Sequence, residues 1–389
     1  MEKFVFHHPV KIIFGRNALE SAGKEVAQLG KRVLLVQGRS ALRENGTRAR
    51  LINHLLHHEL TLFELEGIRP HPLLSDVRTG IKIVREHGCN VVAAIGGGSV
   101  IDTAKAIAAG AMVNHDVWKF FTGKKSVRSR LPLVTIPTIA GSGSEINHGL
   151  VLTNDENQLK FGFGHRLLIP DVCIADPTLT YTVPPELTGA GGVDVLCHCL
   201  EPYLSTSADG IGLQRRFIES ISRTLIETVP ACIREPESYA ARSAMLWCAM
   251  TAMSGYPISG LGKIYFPLHA LEHGVSAHTG IAHGHGLAAL LPGWIDFHRA
   301  DFGDRICAWG QNVLGIESQR DGAGVDEVIA AVRSFLTTIR CPVSLTDAGC
   351  SPDIIDSVVD HALAQARIWR LKNLTAESAR AILDRSFQP

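Results

Sequence analysis

The sequence predicts a two-part fold: an α/β half on a parallel sheet over residues 1–185, and an all-α half over residues 186–389. Three observations carry this. Short β-branched runs alternate with helical patterns through most of the first half, the arrangement of successive βαβ units. The runs at 33–36 (Val-Leu-Leu-Val) and 91–95 (Val-Val-Ala-Ala-Ile) are apolar without alternation, as in strands covered on both faces. After Pro184-Pro185 the β signature largely disappears, and the remainder reads as helices separated by Gly or Pro.

In chain order, strands are expected at 11–14, 32–37, 61–64, 90–95 and 131–136, with helices near 17–29, 41–57, 73–87 and 99–109 between them. Between 149 and 181 the pattern shortens, and Asn154-Asp155-Glu156-Asn157 reads as the turn of a hairpin added to the sheet. Helices of the second half include 215–228, 238–253, 288–297 and 326–338.

Composition narrows the functional classes. A chain of 389 residues, 46% hydrophobic and 20% charged, is long and apolar enough for two or three folded domains, which excludes a disordered or fibrous protein. Lys plus Arg (38) equals Asp plus Glu (38), so no global field favours nucleic acid or an anionic membrane. The apolar stretch 91–113 is broken by Asp102 and Lys105 and falls short of a membrane span. The N-terminal residues lack an export pattern and the nine cysteines form no paired framework, so the expected compartment is the cytoplasm.

Two loops suit phosphate. Gly96-Gly97-Gly98-Ser99 follows a buried strand and opens a helix, where close backbone approach, free N–H groups and the helix dipole favour a pyrophosphate. Ser99 with Asp102 has capping-box spacing and would set the start of that helix. The Gly-Lys-Ser/Thr of a P-loop is missing, which disfavours a P-loop NTPase. A second loop, Pro137-Thr138-Ile139-Ala140-Gly141-Ser142-Gly143-Ser144, also follows a buried strand, and two such loops at carboxyl ends of parallel strands place a ligand at the crevice of an open α/β sheet.

The helical half carries a metal pattern. Asp194 and His198 lie at i, i+4 on one helix face, as do His269 and His273. Six of the 18 histidines fall within residues 269–298, where random placement gives about one or two. His283 and His285 sit in a glycine-rich stretch that can fold back as a loop. One carboxylate oxygen with up to three imidazole nitrogens suits Fe(II) or Zn(II) with a position left for substrate. Cys197 and Cys199 read as small core residues.

Four motifs in this order, Gly-Gly-Gly-Ser…Asp-x-x-Lys at 96–105, Pro137-Thr138…Gly143-Ser144-Glu145, Gly-Val-Asp-x-x-x-His at 192–198 and His-x3-His…His-Gly at 269–284, resemble the iron-containing (group III) alcohol dehydrogenase family. Within it, Leu159-Lys160-Phe161-Gly162-Phe163-Gly164 and Asp176-Pro177-Thr178 look most similar to the butanol dehydrogenase and aldehyde reductase branch. The resemblance implies a dinucleotide-binding α/β domain with an all-helical metal domain, the architecture shared with dehydroquinate synthase. It implies metal ligation by Asp194, His198, His269 and His283, Fe2+ ahead of Zn2+, and a proton-passing role for His273. It places Gly97, Gly98, Ser99 and Asp102 at the pyrophosphate, Thr138 and Ser142 in the second loop, and Lys160 and Leu179 as further nucleotide contacts.

Two departures from the family pattern bear on the cofactor. Where NAD-preferring members carry an Asp after the second strand, this chain has Gly38-Arg39-Ser40, so a carboxylate opposing a 2′-phosphate is missing, and Arg39 can pair with one. NADP(H) is therefore favoured over NAD(H). At Arg69-Pro70-His71-Pro72 an Asn commonly replaces His71 in the family. The expected activity is hydride transfer between NAD(P)H and a small aldehyde or primary alcohol, in a homodimer. The alternatives are a glycerol dehydrogenase-like polyol oxidoreductase or a nucleotide-binding sensor without turnover.

Overall fold

The computed structural model describes residues 1–39, 41–206, 212–317 and 322–388. Their contacts divide into two units, His8–Val183 and Met1–His7 with Pro184–Pro389.

The first unit is built on six parallel strands, β1 (Lys11–Phe14), β2 (Arg32–Gly38), β3 (Thr61–Ile68), β4 (Val91–Gly96), β5 (Leu133–Pro137) and β8 (Val172–Ala175), in the order β1-β8-β5-β4-β2-β3. Helices α1 (Ala22–Leu29), α2 (Ala41–Glu44), α3 (Thr47–Leu56), α4 (Leu74–His87), α5 (Gly98–Gly110) and α6 (Trp118–Phe121) connect them. The two apolar runs are the buried strands β2 and β4, and one core beside the sheet takes in Val33, Leu35, Val91, Ala93, Ile95, Val134, Ile136 and Ile174. The helix expected over 41–57 is two, interrupted at Gly46, whose φ of 76° is left-handed. The strand of residues 172–175 inserts between β1 and β5, pairing Lys11 with Val172 and Thr135 with Cys173.

The expected hairpin forms, but not as part of the main sheet. β6 (Gly149–Asn154) and β7 (Leu159–Gly164) make a separate antiparallel pair. Its first strand is tied instead to α5, because Asp102 accepts the Val151 N–H at 2.8 Å. The same bond corrects the capping-box expectation: α5 begins at Gly98 with Gly97 as an uncapped N-cap, and the Asp102 carboxylate is engaged elsewhere.

In the second unit, α7 (Pro185–Ser205), α8 (Gly212–Arg234), α9 (Tyr239–Met253), α10 (Pro267–Thr279), α11 (His283–Phe297), α12 (Arg299–Trp309), α13 (Gly322–Thr338), α14 (Ile355–Trp369) and α15 (Ala376–Ser386) follow in order. α7 packs against α8 and α11, and α10 against α14. Residues 1–7 group with this unit rather than with the α/β half: Glu2 donates its N–H to Gly260 O at 2.9 Å, and Phe6 meets Tyr256 edge-on. No helix among the described residues is long and apolar enough to cross a membrane.

Candidate metal and nucleotide sites

Residues 188–204 of α7 are buried on every side of the helix, so its polar side chains must find partners inside the protein. Asp194, His198 and Glu201 stand at i, i+4 and i+7, which makes them one stripe. From α10, buried throughout 268–276, come His269, Glu272 and His273. His283 is the first residue of α11 rather than part of a loop, and Gly284 beside it allows the approach to α7. A Cβ on Gly284 would lie 2.0 Å from the Ala190 carbonyl oxygen.

These elements converge on one oxygen. Asp194 Oδ1 lies 3.4 Å from His269 Nε2, 3.5 Å from His198 Nδ1 and 3.7 Å from His283 Nε2. His198 and His269 stack with ring centroids 4.5 Å apart. Behind the imidazoles stand two fully buried carboxylates. Glu201 accepts from His269 Nδ1 and, at 2.7 Å, from the Leu268 N–H, and Glu272 accepts from His283 Nδ1. An imidazole that donates its Nδ1 proton outward presents the lone pair of Nε2 inward, toward Asp194.

Charge follows from this packing. Burial alone would raise Asp194, yet the three imidazoles hold its carboxyl far below the usual range. His198 is pushed down to about 3 by burial, against the pull of Asp194. His269 goes the other way, to about 10: burial would lower it, but Glu201 and Asp194 together outweigh the desolvation, so a cation bound here displaces its Nε2 proton.

The donor set fits a divalent cation. One carboxylate oxygen and three imidazole nitrogens are the chemistry that Fe(II) and Zn(II) take. The buried Nδ1 of His198 makes no hydrogen bond among the described residues, and a metal–nitrogen bond would satisfy it. His273 is 1% exposed, its ring 5.7 Å from His283 and 5.6 Å from Trp369. His285 turns away to the Glu186 carbonyl at 3.2 Å, and His278 packs edge-on against His361, so neither joins the group.

Glu201 and Glu272 escaped the sequence reading. Their signal was present: each is an acid within a largely apolar helix, three residues on from a histidine. Which imidazole each would meet was not legible, since the partners come from α10 and α11.

In the α/β unit, β4 and β5 end side by side with Gly96 paired to Pro137, so both glycine-rich loops leave the sheet at one level. Thr138 donates its N–H to Gly96 O at 3.1 Å. A Cβ on Gly97 would meet Ile139 at 2.6 Å and one on Gly98 would meet Ser142 Oγ at 2.5 Å, so the loops touch where only glycine fits. Gly97, Gly98, Ser99, Thr138 and Ser142 are all partly exposed around this contact, while Lys160 and Leu179 are buried, Leu179 within the core. Asp102 is turned from the loop rim to Ser144 Oγ and Val151 N.

At the end of β2, Gly38 and exposed Arg39 follow Gln37, and Ser40 lies outside the described residues. Glu64 and Glu66 of β3 both accept from Gln37 Nε2, at 2.7 and 3.0 Å, and both pair with Arg48. Arg43 adds a bond to Glu66. His71 has a φ of 60°, a left-handed conformation in which Asn, Asp and His are enriched among non-glycine residues.

A parallel α/β unit with paired phosphate-type loops and a helical unit with a carboxylate–triimidazole centre together define a dinucleotide- and metal-type oxidoreductase. Comparison with known proteins is more particular. The family model "Iron-containing alcohol dehydrogenase" matches residues 9–177, and "Fe-containing alcohol dehydrogenase family, C-terminal" matches 188–387. This chain belongs to the iron-containing alcohol dehydrogenase family, and its activity is that of an alcohol dehydrogenase or aldehyde reductase. It is 35% identical to a probable NADH-dependent butanol dehydrogenase of Bacillus subtilis over the whole of both chains. It is 31% identical to the NADPH-dependent aldehyde reductase YqhD of Escherichia coli, over 94% of this chain and 95% of the relative. The crystal structure of an NADH-dependent butanol dehydrogenase A from Thermotoga maritima superposes with a TM-score of 0.95 at 31% identity, covering 100% of this chain and 99% of that one. The relatives fall in the branch that the sequence resembles.

Proposed function

We propose that this protein transfers a hydride between a nicotinamide dinucleotide and the carbonyl or alcohol carbon of a small aldehyde or primary alcohol. The observation that carries the reading is the convergence of Asp194 with three imidazoles, two of them held from behind by Glu201 and Glu272.

Asp194, His198, His269 and His283 would hold the metal, Fe2+ ahead of Zn2+ given the family to which the chain belongs. A divalent cation bound there supplies Lewis acidity that polarises a substrate oxygen. Glu201 and Glu272 keep His269 and His283 in the tautomer that offers Nε2. Gly97, Gly98 and Ser99, with Thr138 and Ser142, would take the pyrophosphate on backbone N–H groups and hydroxyls, fixing the dinucleotide's position. Lys160 and the backbone near Leu179 would complete the nucleotide site.

Gly38, Arg39 and Ser40 would face the adenosine ribose. Among the described residues Arg39 has no acidic partner, whereas Arg43 and Arg48 already serve Glu64 and Glu66, which supports NADP(H) over NAD(H). His273, buried beside His283, would pass a proton to or from the substrate oxygen. A homodimer is the expected assembly, to be read by light scattering.

A panel of short aldehydes and polyols with NADPH or NADH tests the whole reading. Consumption of reduced cofactor with aldehydes, lost on exhaustive chelation or in His198→Ala without loss of the fold, is expected. Full turnover in metal-free protein would overturn the metal assignment, and preferential oxidation of polyols would favour the glycerol dehydrogenase-like alternative.

A further inference from the structure

Lys105 has no part in the roles assigned above, yet it is 0% exposed. A charged group is rarely so deeply buried unless all its polar atoms are satisfied. An ammonium has three protons, and each has a partner here. Lys105 Nζ donates to Gly149 O at 2.7 Å, Asn147 O at 2.9 Å and Asn147 Oδ1 at 3.0 Å. One turn earlier on α5, Asp102 accepts from Ser144 Oγ at 2.5 Å and from Val151 N–H at 2.8 Å. Two side chains of opposite charge on one helix therefore grip residues 144–151 at five points.

The gripped segment runs on directly from the second glycine-rich loop. Ser142, which accepts the Ser144 N–H at 3.2 Å, lies against Gly98 at the start of α5. Helix α5 thus carries a pyrophosphate-type turn at its first residues and, two turns later, the clamp that holds the other loop against that turn.

We propose that Lys105 is a positioning residue for the dinucleotide: its buried ammonium, with Asp102, fixes the 142–149 loop against the N-terminus of α5 in the geometry that binds the nucleotide phosphates. The inference rests on the dinucleotide reading above. It also makes nucleotide affinity depend on the charge of a group that never touches the ligand.

Burial lowers the Lys105 ammonium from 10.5 to about 8, against the pull of Asp102 and Glu145, and Arg130 acts in the same direction as burial. His148, in the gripped loop, is itself lowered by burial and by Lys105. These are the charged and titratable groups that face the ammonium among the described residues. Two effects then run in opposite directions. The unfolded chain keeps this proton to about 10.5, so the Lys105 contribution to stability rises with pH from about 8 to 10.5. Nucleotide affinity, which depends on the charged clamp, falls as pH rises through 8. A lysine that only filled space would not separate affinity from stability in this way.

The test is titration of the metal-loaded protein with NADPH and with NADH, followed by nicotinamide fluorescence from pH 6.5 to 9.5, beside calorimetry in two buffers of different ionisation enthalpy. The wild type is expected to bind about tenfold more weakly at pH 9.5 than at pH 7, with proton uptake on binding above pH 8. Lys105→Met is expected to bind about tenfold more weakly at pH 7 and to lose the pH dependence that the wild type shows above pH 8. Wild-type affinity and pH profile in Lys105→Met would overturn the inference. If that variant does not fold, a flat wild-type profile without proton uptake overturns it equally. Failure of the wild type to bind either nucleotide at pH 7 would instead overturn the dinucleotide reading itself.

Discussion

Gly284→Ala adds a single methyl group, and the structure says where it must go. The new Cβ would stand 2.0 Å from Ala190 O, 2.5 Å from Ala190 C and 2.8 Å from Ala190 Cα, all backbone atoms of α7 that cannot rotate aside. Relief requires α11 and α7 to part by at least about 1 Å at this crossing, which takes the oxygen only to the shortest distance a Cβ tolerates and short of full van der Waals separation. Overpacking of this kind costs about 1–3 kcal/mol, lessened by up to ~1 kcal/mol because alanine favours a helix more than glycine does. A fall in Tm of only a few degrees is expected for a unit of this size. The site should suffer far more. His283 adjoins the strained residue and sits 3.7 Å from Asp194, whereas metal–ligand bonds tolerate about 0.2 Å of error. A displacement near 1 Å is expected to lower kcat/KM by about 100-fold. Differential scanning calorimetry, metal analysis and steady-state kinetics on one preparation would read all three. A variant as active and as metal-replete as the wild type would refute the close-approach argument, and equal collapse of stability and activity would show that Gly284 serves the fold rather than the centre.

Other substitutions probe single contacts. Glu272→Ala removes the acceptor behind His283 and is expected to weaken metal affinity by about 10–100-fold in a competitive chelator titration, with Glu272→Gln, which can still accept the Nδ1 proton, losing much less. Arg39→Ala should raise the KM for NADPH about fivefold with little change for NADH, as fits an exposed cation meeting a 2′-phosphate; equal effects on both would remove the NADP(H) preference. His273→Ala is expected to lower kcat about 100-fold and to flatten one limb of the pH–rate profile, and an unchanged profile would exclude the proton-passing role.

The alternation of strands and helices was readable because buried parallel strands need continuous apolar runs and crossover helices need a different period. Less was readable where tertiary partners decide. The hairpin at 149–164 was legible as a hairpin, but the bond from Val151 to Asp102 that ties it to α5 joins residues 49 apart. Asp102 shows the same limit within one helix: its spacing from Ser99 suits a capping box, and a stronger pair of donors from a distant loop captures it instead.

The order of residues alone determines which groups are available: Asp194 and His198 one turn apart, His269 and His273 one turn apart, a glycine-flanked His283, and two glycine-rich turns after apolar strands. Local periodicity suffices for that, because an α-helix places i and i+4 on one face whatever surrounds it. Only the folded chain decides that three imidazoles from three helices meet a single Asp194 oxygen, that Glu201 and Glu272 stand behind two of them, and that Lys105 is sealed against Asn147 and Gly149. Those arrangements depend on how closely helices pack and which side chains lose water together, and both are settled by contacts between segments that the sequence keeps far apart.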